Sequence, residues 1–241
     1  MIKKIALFIL LATSVNITAQ TVTLKDNSKE GETFKVKTES LQKSPKMGAM
    51  TLTHFVNKTI TKSDDTEITA ELVVERLLVN ISQGGATYGY DSKVENPISQ
   101  MGKVLKQQFD PMAKVTMITT LDRFGTMKKS ETIPPSGGVS MGAFQFGYPT
   151  EPIKVGSTWS SDFMNMNVGK IKLSYKVTKI TDTTVYIEFT GVSVGSNAMR
   201  LEGNMEVDIA TGNQNKVVSR SSMETLQGNV KGKTTITSTK N

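Results

Sequence analysis

The chain has 241 residues, with 29 Lys and Arg against 22 Asp and Glu, a single histidine and no cysteine. The missing cysteine excludes thiol catalysis, thiolate metal sites, disulfides and a lipid-bearing cysteine at a processing site. The net charge of +7 is spread singly: Lys170, Lys172 and Lys176 alternate along a strand pattern, which describes a solvated face rather than a binding stripe. Nucleic acid is therefore not an expected partner.

At the N-terminus, Lys3 and Lys4 precede an apolar run over 5–12, and small and polar residues lead on to Ala19. This is the pattern of a secretory signal peptide over 1–19, cleaved before Gln20. The run is shorter than the roughly 20 residues that cross a bilayer, and no second run of that length occurs later in the chain, so no membrane span is expected. The expected product is one exported domain over 20–241, periplasmic or secreted, long enough to bury a substantial core without disulfides.

Most of the chain beyond Gln20 has a hydrophobic period of 2, the mark of half-buried antiparallel strands. Gly31, Glu32, Thr33 and Phe34 open an early strand. Leu52, His54 and Val56 share one strand face. Asn96 and Pro97 are helix start signals, and Ile98, Met101, Leu105, Phe109 and Met112 recur at helical spacing. A helix is predicted over 97–108, ending before Pro111. Val115, Met117, Thr119 and Leu121 make a further strand, turned by Asp122, Arg123, Phe124 and Gly125. Four prolines and four glycines fill 133–152, a long link. Beyond it Gly156, Ser157, Thr158 and Trp159 open a later half, with alternations over 171–177 and, most regularly, 199–209.

The two halves read as related. The opening at Gly31 parallels that at Gly156, and the run from Lys62 to Ile68 parallels that from Lys179 to Val185. An insertion in the loop over 43–50 accounts for the difference in spacing. The expected fold is therefore mainly β: two related curved antiparallel sheets, an incomplete barrel built from pseudo-repeats 21–94 and 154–239. One helix should pack on the concave face. Leaving its apolar stripe in water would forgo about 1.5 to 3 kcal/mol per large side chain. The stripe is expected to face the inner strands, bounding an apolar ligand pocket lined by Met101, Leu105, Phe109, Met205 and Val207.

Signals for chemistry are sparse. Gly138, Val139, Ser140, Met141 and Gly142 match a nucleophile-elbow pattern, but that motif needs a strand before it, a helix after it and a histidine later in the chain. Prolines precede it here, and His54 comes before it. His54 lacks partners for a zinc site, and Met164 with Met166 is too small a thioether set for copper. Asp64 and Asp65 fit a hairpin turn, while Glu71 and Glu75 fit an outer strand face, so neither pair reads as acid–base machinery. No cofactor and no catalytic or metal-binding residue is expected. The 13 methionines suit either gap-filling or an adaptable apolar cavity.

One stretch resembles a known signature. Phe144, Gln145, Phe146, Gly147, Tyr148 and Pro149 precede Glu151, Pro152, Ile153, Lys154, Val155, Gly156, Ser157, Thr158 and Trp159. This is similar to a family of exported proteins of unknown function common in Bacteroidota, whose signature runs Pro-x-Pro-Val-Lys-Val-Gly-Asp-x-Trp. Ile153 and Ser157 replace its Val and Asp, and two residues intervene after Pro149. The resemblance implies a compartment and a β-rich later half, with no activity attached. The leading expectation is a non-catalytic envelope or secreted protein whose partner is an apolar or amphipathic small molecule. The alternatives are a structural or interaction module of the cell envelope and a hydrolase using surface carboxylates.

Overall fold

The computed structural model describes residues 20–46, 48–134, 146–165, 169–193, 199–225 and 228–241. The expected leader over 1–19, the Gly138-to-Gly142 motif, Met47 and Met166 lie outside the described residues, and nothing is described of the Met164 side chain. The period-2 segments form β1 (Thr33–Ser44), β2 (Gly48–Ser63), β3 (Glu67–Gln83) and β4 (Ala86–Asp91). After helix α1 (Gln100–Ala113) come β5 (Thr116–Asp122) and β6 (Met127–Ile133). The later half contributes β7 (Thr158–Asn165), β8 (Gly169–Ile180), β9 (Thr184–Ser193), β10 (Met199–Asp208), β11 (Gln214–Thr225) and β12 (Gly228–Lys240).

These strands make one antiparallel sheet, not the two expected. Its order is β6-β5-β3-β2-β1-β12-β11-β10-β9-β8-β7, with β4 paired to β3 outside this path. The halves join because β1 pairs with β12 from Phe34 opposite Lys240 to Lys43 opposite Lys231. The sheet is not closed; its main path ends at β6 and β7, and β4 is a further edge strand beside β3. Along β8, Ile171, Leu173, Tyr175 and Val177 are buried while Lys170, Lys172, Ser174 and Lys176 are exposed. That alternation decides which face meets the core.

The helix departs from its prediction. Ser99, not Asn96, is the N-cap, its hydroxyl accepting from the Gly102 N–H at 2.9 Å. The helix also passes through Pro111 to Ala113. Ile98 precedes the cap and is fully exposed, and Met101 is 41% exposed, so the apolar stripe is shorter than predicted. Only Leu105 and Phe109 are buried, and α1 packs against β4 and β3. The Tyr90 phenol donates to Asp110 at 2.8 Å, and the Tyr90 and Phe109 rings lie 5.7 Å apart.

The opening turns of the two halves are built alike. Gly31 and Gly156 have φ of 84° and 89°. The Gly31 N–H donates to Ile60 O and Ile60 N–H returns to Glu32 O, each at 2.9 Å. Gly156 does the same with Val177 O, and Val177 N–H returns to Ser157 O, again at 2.9 Å. Register shifts fall between Ile60 and Lys62 and between Val177 and Lys179. The Thr61 hydroxyl donates to Thr69 O, as Thr178 does to Tyr186 O. β5 beside β3 and β10 beside β9 continue the match, with Asp122 opposite Glu67 and Asp208 opposite Thr184.

The segment before β1 ties both halves at one end. Val22 exchanges backbone hydrogen bonds with Ile153, Asp26 N–H donates to Arg123 O at 2.8 Å, and Asn27 N–H donates to Thr211 O at 2.7 Å. The Arg123 guanidinium donates to Asp26 O, Ser28 O, Asp64 O and the Ser63 hydroxyl. Gly212, with φ of 71°, lies so close that a Cβ would sit 1.9 Å from Lys25 O.

A Cβ at Gly31 or at Gly156 would meet nothing within 4 Å, so an alanine there pays only for the left-handed backbone. Gly31→Ala and Gly156→Ala should each lower stability by about 1 to 2 kcal/mol, and by similar amounts, in urea unfolding monitored by circular dichroism. A loss at one position without the other would show that the two turns differ in energy despite their shared hydrogen bonds.

Candidate functional site

The five side chains expected around one pocket fall into separate places. Leu105 and Phe109 join a cluster with Val56, Val74, Leu77, Val79, Tyr90 and Met117. Met205 and Val207 belong to another, with Tyr175, Ile187, Phe189 and Phe146, and Met101 is in neither. The helix reaches only β3 and β4, so it cannot cover β10.

An apolar cavity of about 160 Å³ lies elsewhere, and none of those five residues lines it. Its walls are inward residues of five strands: Val36 and Thr38 on β1, Val56 and Lys58 on β2, Ile68, Ala70 and Leu72 on β3, Met117, Thr119 and Leu121 on β5, and Ile236 and Ser238 on β12. Gln214 of β11 joins a base made of Asp26, Gly125, Phe146, Tyr148, Gly212 and Asn213. The base is held firmly. Tyr148 N–H donates to Phe124 O at 2.7 Å and its phenol to Gly212 O at 3.0 Å. Burial pushes the Tyr148 phenol well above the usual range, so it stays a neutral donor. Val36, Leu72, Leu121 and Ile236 remain partly exposed, so the cavity communicates with solvent.

The later half explains why the space exists. At equivalent registers Phe34 faces Lys58 where Trp159 faces Tyr175. Ala70 faces Thr119 where Ile187 faces Met205. Tyr175, Ile187 and Met205 are each 2% exposed or less and fill their core. The Trp159 ring stacks on Tyr175 at 4.9 Å, and its Nε1 donates to Gly147 O at 2.8 Å. Lys58, Ala70 and Thr119 supply less apolar bulk at the same places. One pair runs the other way, Leu72 with Met117 against Phe189 with Gly203, but there the glycine makes room for the ring. A Cβ at Gly203 would lie 2.5 Å from Phe189 Cζ. The cavity is thus what remains when three filling side chains are replaced.

The other candidates are absorbed by structure. Asp64 Oδ1 accepts from Thr66 N–H, the Thr66 hydroxyl and Glu67 N–H, and these bonds, with Lys62 beside it, hold its carboxyl well below the usual carboxylate range. Glu75 accepts from Asn57. No group of three or more His, Asp or Glu side chains suited to a metal occurs among the described residues. The unforeseen lining residue is Lys58, which the alternation of β2 turns inward.

His54 is 7% exposed, and its Nε2 has no hydrogen-bond partner among the described residues. It faces Thr38 across the β1–β2 ladder and Leu77 across the β2–β3 ladder. Burial holds its pKa below the ordinary 6.5, so the folded chain keeps it neutral while an unfolded chain takes up a proton as pH falls through 6.5. The unfolded state then binds more protons, and stability must drop toward acid. Isoleucine occupies the equivalent place, Ile171. His54→Ile should flatten the loss of stability below about pH 6.5, measured by urea unfolding across pH 5 to 7. An unchanged slope would mean that other groups set the acid sensitivity.

No protein-family model matches the chain and no curated protein matches it, so the site's chemistry is carried by its own geometry.

Proposed function

We propose that this chain is a non-catalytic exported protein, of the envelope or secreted, that binds a small apolar or amphipathic molecule in the cavity between β5 and β11. The observation that carries this reading is the contrast of Ala70 and Thr119 with Ile187 and Met205 at matched registers. A core of this patterning fills itself in one half and leaves space in the other. The volume of about 160 Å³ compares with the roughly 150 Å³ apolar cavity that stays dry and binds benzene. The occupant is therefore ring-sized or a short chain, not a whole membrane lipid.

We also propose that the sheet curls around this space. Between β5 and β11 lie five steps of the strand order, which a flat sheet would spread over about 24 Å. Residues of both strands nevertheless border one cavity. The stretches over 21–94 and 154–239 are read as a structural duplication whose early copy runs on past 94 into β5, with β4 and α1 intervening. Support comes from the shared glycine turns, bulges and threonine hydrogen bonds.

Two outcomes are expected. The variant Ala70→Ile with Thr119→Met, which copies the filled half, should stay folded by circular dichroism and lose saturable toluene binding in saturation-transfer NMR. Wild-type protein without saturable toluene binding would remove the cavity reading. For export, mass analysis of the protein from its native cells should give an N-terminus at Gln20, and a species beginning at Met1 would remove that part.

A further inference from the structure

Lys58 is the one cationic side chain among the described residues that line the cavity. Lys58 lies on the inward face of β2, opposite Phe34 on β1 and Leu72 on β3. Tyr175 holds the same position in β8 and is 2% exposed. A position that takes a buried aromatic ring in one half takes an ammonium in the other. The Lys58 Nζ lies 5.2 Å from the Phe34 ring centroid, a cation–π contact. Among the described residues no carboxylate lies within 4.0 Å of it, whereas nearby Lys62 bonds Asp64 and Glu67, and Lys240 bonds Glu32.

The walls nearest Lys58 along the ladders are Val36, Val56, Leu72 and Met117, with hydroxyls on Thr38, Thr119 and Ser238. Among the described residues the lining has one carboxylate, Asp26, at the base, where its Oδ1 accepts from Ser28 N–H at 2.9 Å. An ammonium at the edge of an apolar space with no counterion of its own is matched by a ligand that brings one. A single positive point charge, with a carboxylate elsewhere in the lining, suits a monoanion better than a dianion.

We propose that Lys58 anchors the headgroup of a small monoanionic amphiphile, an acid with a short chain or one ring, whose apolar part occupies the cavity. This rests on the cavity being a binding site at all. Because Lys58 is partly exposed, the head stays near solvent while the tail lies against Ile68, Ala70 and Met117.

The test uses the full chain and three probes of matched length: hexanoate, hexyl sulfate and 1-hexanol, titrated at pH 7 and low salt by ligand-observed NMR. Wild-type protein should bind at least one of the two anions roughly tenfold tighter than the alcohol, and the stronger one names the headgroup. Lys58→Met should keep 1-hexanol binding, which shows that the cavity is intact, and lose the preference for anions. Lys58→Arg should retain the preference, so the charge can be tested even if the methionine variant does not fold. Equal binding of anions and alcohol to wild-type protein, or a preference surviving in Lys58→Met, overturns the anion anchor and leaves the cavity standing. If none of the three binds to wild-type protein, the cavity reading falls with it.

Discussion

The pairing of β1 with β12 is the constraint on which the rest depends. It runs from Phe34 opposite Lys240 to Lys43 opposite Lys231 and makes one sheet of two meanders that are otherwise joined by the link over 134–157. The cavity lies across this seam. Val36 and Thr38 come from one side of it, Ile236 and Ser238 from the other, in direct register. The segment over 20–32 acts as a second tie, since it bonds turns of both halves and supplies Asp26 to the base. Backbone pairing that joins distant parts of the chain is slow to form and strongly cooperative.

The site is an asymmetry laid over this frame. Both halves use the same glycine turn, the same bulge and the same alternation, and differ in what they point inward. The later half points Tyr175, Phe189, Ile187 and Met205 into a close-packed cluster to which Phe146 adds its ring, 4.8 Å from that of Phe189. The earlier half points Lys58, Ala70 and Thr119 into the same relative space. Close packing makes even a few missing methylenes felt, so one half can serve as the rigid support and the other as the receptive one.

Much of this frame was legible in the sequence. The alternation over 199–209 became β10, and Asp122 to Gly125 became the turn whose carboxylate accepts from the Phe124 and Thr126 N–H groups. Lys62 and Lys179, paired by sequence, both follow a register shift. What the sequence did not show was that the side chains it grouped around one pocket would fall in separate clusters. Periodicity shows that Leu105 and Phe109 share a face, but not which strands that face will meet. Among the described residues that face meets β3 and β4 and not β10. Finding the cavity needs a comparison of Thr119 with Met205, and the intervening β4 and α1 obscure that register match in the linear chain. Lys58 was passed over for another reason: a lysine on an alternating strand reads as an outward residue, although the face of His54 and Val56 carries on through it to Ile60.

The strand order carries a consequence of parity. Eleven strands lie on the main path, every neighbour antiparallel to the next. An odd number leaves the first and last, β6 and β7, pointing the same way. Any pairing between them would have to be parallel, unlike every other strand pair among the described residues. In the curled sheet proposed above, one more extended strand, running opposite to both ends, would restore an even count.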